Sequence, residues 1–103
     1  MIPADRIRDE ADALFDEAVR TRRHLHMYPE LSFNETETSA FIAAELERAG
    51  IPHETGIGGN GIAATIAGSG DGVVALRADM DALPIQEAND HAYRSRNDGA
   101  MHA

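Results

Sequence analysis

The sequence predicts an α/β fold: two N-terminal helices packed on a partial mixed sheet, forming an incomplete part of a larger domain. Three observations lead there. Apolar residues of the first half recur at helical spacing, and those of the second half fall in short runs punctuated by glycine. Those runs also present more apolar face than two helices can cover.

Residues 5 to about 26 read as one amphipathic helix, with Ile7, Ala11, Leu14, Phe15, Ala18, Val19 and Leu25 on its apolar stripe. Asp5, Asp9 and Glu10 stand near its start and Arg20, Arg22 and Arg23 near its end, as the macrodipole favours. Pro29 follows. Asn34 with Glu37 reads as an N-cap with its reciprocal acid, opening a helix that runs to about Ala49. That helix is expected to bury Phe41, Ile42, Leu46 and Ala49, and to end at Gly50 in the left-handed conformation with Pro52 beyond. Ile51 to Thr55 is a short edge strand. Gly61 to Ala67 and Gly72 to Ala78 are two strands joined by the turn Gly68 to Gly72. Residues 85–103 are polar loop with one short strand at most.

At 103 residues the chain is at most one small domain, and an apolar share of 43% suits a globular chain. No apolar run is long enough to span a bilayer, and the charged N-terminus has no secretory h-region. The default expectation is cytoplasmic. The net charge of −9 is spread over both halves, and every basic residue is arginine. Such an even acidic coat argues against a nucleic acid partner, and nothing here points to a membrane. Cysteine is absent, so these residues hold neither a disulfide framework nor a thiolate metal site.

The densest chemistry lies from Ala75 to Pro84, where an apolar run feeds Asp79 and Asp81. On a strand, alternation would put Arg77, Asp79 and Asp81 on one face. Charges gathered there need partners. Two readings stand: the aspartates pair with Arg77 or cap the next segment, or they serve a metal site. Gly56, Gly58 and Gly61 spell GxGxxG with Asp81 twenty residues on. The pattern lacks its context, because the residues before it are not an apolar central strand and the segment after it is too short for a phosphate-binding helix. A glycine-rich turn entering a strand is the expected structure. His24 and His26 are two apart on a helix and cannot share one metal. His26 is expected to point inward beside Pro29 and Glu30 as a structural hydrogen-bonding residue. His53 and His91 lack companions at ligand spacing and are expected at the surface. His102 closes a stretch, Tyr93 to His102, dense in donors and acceptors.

Read together, Arg22 to Phe33, Ile57 to Ala63, Leu76 to Pro84 and Tyr93 to Ala103 closely resemble, in order and spacing, the N-terminal part of metal-dependent amidohydrolases of metallopeptidase family twenty. The branch is that of hippurate, N-acyl-amino-acid and indoleacetyl-amino-acid hydrolases. The resemblance implies a zinc-hydrolase-type catalytic domain with an inserted lid or dimerisation domain, and residues 1–103 would be the N-terminal part of that catalytic domain. It implies a centre of two divalent metals, zinc or manganese, whose activated water attacks the amide of an N-acyl amino acid or peptide-like substrate. The intact enzyme would be a homodimer. The broader family reads His-x-Asp at the Leu76 to Pro84 segment, with the histidine as ligand. Asp79 stands at that position here, a departure common in this branch, which uses a Cys-Gly-His ligand set instead. Asp81 then carries over as the carboxylate that supports catalysis from behind the ligands. The ligands themselves are expected just after Ala103, leaving His102 and Asp79 as supporting neighbours and no metal ligand within the chain. On this reading residues 1–103 alone are inactive. The alternatives are a non-catalytic truncated interaction module and a nucleotide binder using Gly56 to Gly61.

Overall fold

The first amphipathic segment folds as two helices rather than one. The computed structural model describes residues 1–103, and its elements in chain order are α1 (Ala4–Ala13), α2 (Phe15–Met27), α3 (Thr36–Arg48), β1 (His53–Ile57) and β2 (Gly61–Ala64). The interruption is local. The Leu14 N–H is shared between the carbonyls of Glu10 and Ala11, at 3.3 and 3.1 Å, which tightens one turn without reversing the chain. No proline or glycine marks it in the sequence. α1 has no buried residue, so the stripe through Ile7, Leu14 and Phe15 stays exposed.

Helix α3 ends as expected, with Gly50 at φ 69°, but it does not begin as expected. Its N-cap position is Glu35, and no local side chain caps it. Asn34 donates instead to the Ser32 carbonyl. The open N–H groups of Glu37 and Thr38 are taken by the Glu30 carboxylate, at 3.2 and 2.5 Å. A carboxylate seven residues upstream thus does the work of a capping box, and its charge also suits the positive helix end. Burial alone would push the Glu30 carboxyl up, but its bonds to Thr38 and Glu37 outweigh that and hold it below its ordinary range. α2 meets α3 through His24, which stacks on Phe41 at 4.1 Å, and through Arg48, which bridges Glu17 and Glu45. On α3, Phe41, Ile42 and Leu46 are half-buried while Ala49 is exposed.

The sheet is an antiparallel hairpin, β1 with β2, packed on α3. Its register pairs His53 with Ala64 and Glu54 with Ala63, then slips by one residue so that Ile57 faces Gly61. The slip falls at Gly56, whose φ of 76° is the left-handed conformation that a bulge requires. Gly61 has no alternative: a Cβ there would stand 2.4 Å from the Ile57 carbonyl oxygen. The GxGxxG pattern is therefore a hairpin turn between two strands, with no helix to receive a phosphate.

The expected strand from Gly72 to Ala78 is absent, as is the hairpin across Gly68 to Gly72; β2 pairs with β1 instead. Residues 65–80 are irregular, with Val73 and Leu76 at 94% and 98% exposure. An apolar run becomes a strand only where a neighbour takes its N–H and C=O groups, and residues 1–103 offer none here. The fully buried positions are few: Pro29, Ala82 and Ala100 with His26, Thr38, Ser39 and Glu87. A radius of gyration of 16.0 Å, against roughly 13 Å for a compact chain of this length, fits that thin core.

Candidate functional site

The chain knots together around the connector that leaves α2. Its carbonyls are taken in turn. Met27 accepts the Arg96 N–H at 2.9 Å, Pro29 accepts the Asn97 side-chain amide at 2.8 Å, and Glu30 accepts the Ala82 N–H at 2.8 Å. Leu31 and Ala82 form a parallel bridge, and Leu83 exchanges two 3.0 Å bonds with Met101. Arg96 also donates to the Tyr28 hydroxyl at 3.1 Å. Three of the four segments quoted for the resemblance thereby meet. The fourth, the hairpin turn, is tied on by Asn60, which donates to the Phe33 carbonyl and the Glu35 carboxylate.

At the centre stands Glu87, 2% exposed. Its Oε1 lies 3.0 Å from Nε2 of His26 and 3.0 Å from Nε2 of His91, and its Oε2 accepts the Ser95 N–H. Burial would raise this carboxyl. The Ser95 N–H, His26 and Asn89 outweigh that and hold it at about 2. Tyr93 stacks on His91 at 3.9 Å and meets His26 edge-on, while the Arg23 guanidinium lies 4.5 Å over the outer face of Tyr93. His26 does point inward, as expected, but its partner is sixty-one residues away rather than local. His91 corrects the expectation of a companionless surface residue: it is half-buried and bonded to Glu87. The Glu87–His91 spacing of four was the one signal available in the sequence.

The two aspartates part company. Asp79 is exposed and pairs with Arg77 at 2.8 Å, the ion-pair reading of the sequence. Asp81 is half-buried and accepts the Ser32 hydroxyl at 2.6 Å. Without a strand between Arg77 and Asp81, alternation does not hold them to one face. His102 is half-buried, and its Nε2 is buried with no hydrogen-bond partner. Burial lowers its affinity for a proton, the nearby His26 adds to this, and the Asp81 charge opposes it, leaving the imidazole biased to the neutral form. A cavity of about 740 Å³ is lined by Arg22, Leu25, His26, Asp79, Met80 and His102 among others. It joins the α2 face to the end of the Asp81 segment. The only grouping of three metal-capable donors is His26, Glu87 and His91. Asp79, Asp81 and His102 do not form one.

No protein-family model matches the chain. Individual relatives do. It is 54% identical over 98 residues to YhaA of Bacillus subtilis, named as an amidohydrolase, covering 94% of this chain and 25% of that protein. It is 41% identical over 99 residues to a protein of Synechocystis named as a hydrolase, again covering 25% of it. Among solved structures, an aminohydrolase from methicillin-resistant Staphylococcus aureus superposes with a TM-score of 0.91 at 37% identity, over 98% of this chain and 27% of the other. Bacillus subtilis YxeP, described as a dinuclear metal binding peptidase of the M20 family, superposes with a TM-score of 0.81 at 43% identity, over 88% and 26%. In sequence and backbone alike this chain is similar to one stretch of hydrolases that include an amidohydrolase and a peptidase of the M20 family, and it spans about a quarter of their length.

Proposed function

We propose that residues 1–103 are the N-terminal part of the catalytic domain of a metal-dependent amidohydrolase that cleaves the amide bond of N-acyl amino acids. The likeness to a dinuclear metal binding peptidase, at 43% identity with a TM-score of 0.81, carries this reading. Two divalent metals, zinc or manganese, would supply the activated water and the pull on the carbonyl oxygen. Their ligands would follow Ala103. Within residues 1–103, Asp81 supports that centre from a fixed position, its orientation held by Ser32. The partnerless Nε2 of His102 is available on the neighbouring wall, and Asp79, paired with Arg77, lines the same cavity as a second supporting neighbour. The even acidic charge supports an enzyme without a nucleic acid partner, the cytoplasm is its default location, and the family resemblance supports a homodimer joined through an inserted lid domain.

The test begins with the codons that follow Ala103. Cys-Gly-His in frame is expected. The protein read through that frame should hydrolyse N-acyl amino acids only when loaded with metal, whereas residues 1–103 should turn over nothing. Amide hydrolysis by the short chain, or a stop codon directly after Ala103, would overturn the reading. The stop codon would favour an interaction module, for which the exposed apolar segment Val73 to Leu76 is the supporting observation. The nucleotide reading loses its support in the hairpin turn at Gly56 to Gly61.

A further inference from the structure

We infer that His26, Glu87 and His91 form a binding site for one divalent transition-metal ion, zinc foremost, separate from the dinuclear centre whose ligands are expected after Ala103. The site is built wholly from residues 26–95 and stands whether or not the amidohydrolase reading does.

The donor set comes first. Two imidazole nitrogens and a carboxylate oxygen are a combination that zinc takes readily, with a fourth position left open. Their spacing comes second. All three donors lie within 4.8 Å of one another, and Oε1 is 3.0 Å from each Nε2. Neighbouring donors on a tetrahedral zinc stand about 3.3 Å apart, so each oxygen–nitrogen pair needs only a few tenths of an ångström of widening, and the two ring nitrogens, within 4.8 Å of each other, complete the set by a turn of either ring.

Charge is the third consideration. Glu87 is a buried carboxylate whose only ion-pair partners are the two imidazoles. The nearby guanidiniums are spent elsewhere: Arg94 donates to the Glu87 backbone carbonyl, and Arg23 lies on the outer face of Tyr93. A buried anion without a full counter-charge is costly, and a divalent ion supplies one. Preorganisation is the fourth. Ser95 holds Oε2, so Oε1 is aimed at the rings, and Tyr93 fixes the plane of His91 by stacking.

Without metal, each ring donates its Nε2 proton to Oε1. Binding moves that proton to Nδ1 on each ring and leaves Nε2 as the ligand. The His91 Nδ1, buried and partnerless, is free to take it.

The experiment uses the untagged 103-residue chain, stripped with chelator and titrated with zinc by calorimetry. Long-range proton–nitrogen NMR of the histidine rings runs in parallel. The expected result is one ion per chain, with His26 and His91 alone changing from the Nε2-protonated to the Nδ1-protonated form. H91Q and E87Q should each weaken uptake at least tenfold, and H102Q should leave it unchanged. Cobalt should give the visible absorption of a tetrahedral site in the parent chain and lose it in H91Q. The proposal is overturned by absence of saturable zinc uptake, by uptake unchanged in H91Q, or by loss of uptake in H102Q instead. The ring measurement on the parent chain decides the matter even if E87Q does not fold.

Discussion

Residues 26–32 with 81–102 and residues 65–80 make a sharp contrast. In the first region the carboxylates are answered: Glu87 by His26, His91 and Ser95, Glu30 by Glu37 and Thr38, Asp81 by Ser32. In the second, apolar side chains stand in solvent and the backbone has few partners. Polar closure within a short stretch of chain needs only a few correctly placed atoms. Apolar closure needs area, and residues 1–103 do not supply it. Order in this molecule therefore follows its hydrogen-bonded knot rather than a hydrophobic core.

Substitutions sharpen that contrast, beginning with the greatest expected loss. Glu87→Ala removes the common partner of two histidines and a backbone N–H, and should release the whole 81–102 segment. Hydrogen exchange should show the amides of Ala82, Leu83, Arg96 and Met101 losing protection together. Protection surviving in that variant would show that the knot does not depend on its buried carboxylate.

Acid should act next, and in a defined direction. Glu87 and Glu30 have depressed folded values, so both contribute stability above the unfolded carboxyl value of about 4.3. That contribution is lost as pH falls, down to about 2 for Glu87. His102 is also lowered when folded. The unfolded chain then binds its proton first, and stability begins to fall below about 6.5. A denaturant midpoint that rises on acidification from neutral would contradict these assignments.

Glu30→Gln, which weakens the distant cap of α3, should cost about 1 kcal/mol and flatten part of that acid dependence. Phe33 has φ 67°, a conformation that a bulky residue adopts only under strain. Phe33→Gly should therefore raise the unfolding free energy, by up to about 1 kcal/mol, read from the denaturant midpoint. Leu76→Asp, in the unpartnered region, should change stability by less than about 0.5 kcal/mol. A larger loss there would mean that the exposed segment is packed after all, and would erase the contrast.

Much of the fold was legible in sequence. Helical periodicity marked both amphipathic segments, Gly50 marked the end of α3, and the glycine cluster before Gly61 was read as a turn entering a strand. Local pattern failed in two places. The Asn34–Glu37 motif looked like a complete capping box, yet Glu30 reached the helix end first, a competition between acceptors that spacing does not record. The Val73 to Leu76 run looked like a strand, but strand formation needs a neighbour that a one-dimensional pattern cannot supply. The candidate site divided in the same way. Asp79 beside Arg77 was visible as an ion pair. His26 and Glu87 share no local signal, because sixty-one residues separate them.

The amino-acid sequence by itself determined the elements, the acidic and cysteine-free surface, and the resemblance to the amidohydrolase branch, since these depend on residue order and spacing over short distances. Tertiary structure alone decided which groups meet: Asp81 with Ser32 and Glu87 between two histidines, while the Nε2 of His102 is left without a partner. The physical reason is desolvation. A carboxylate takes two imidazoles and a backbone N–H only where water has been excluded, and that exclusion arises when segments distant in sequence close on the connector after α2.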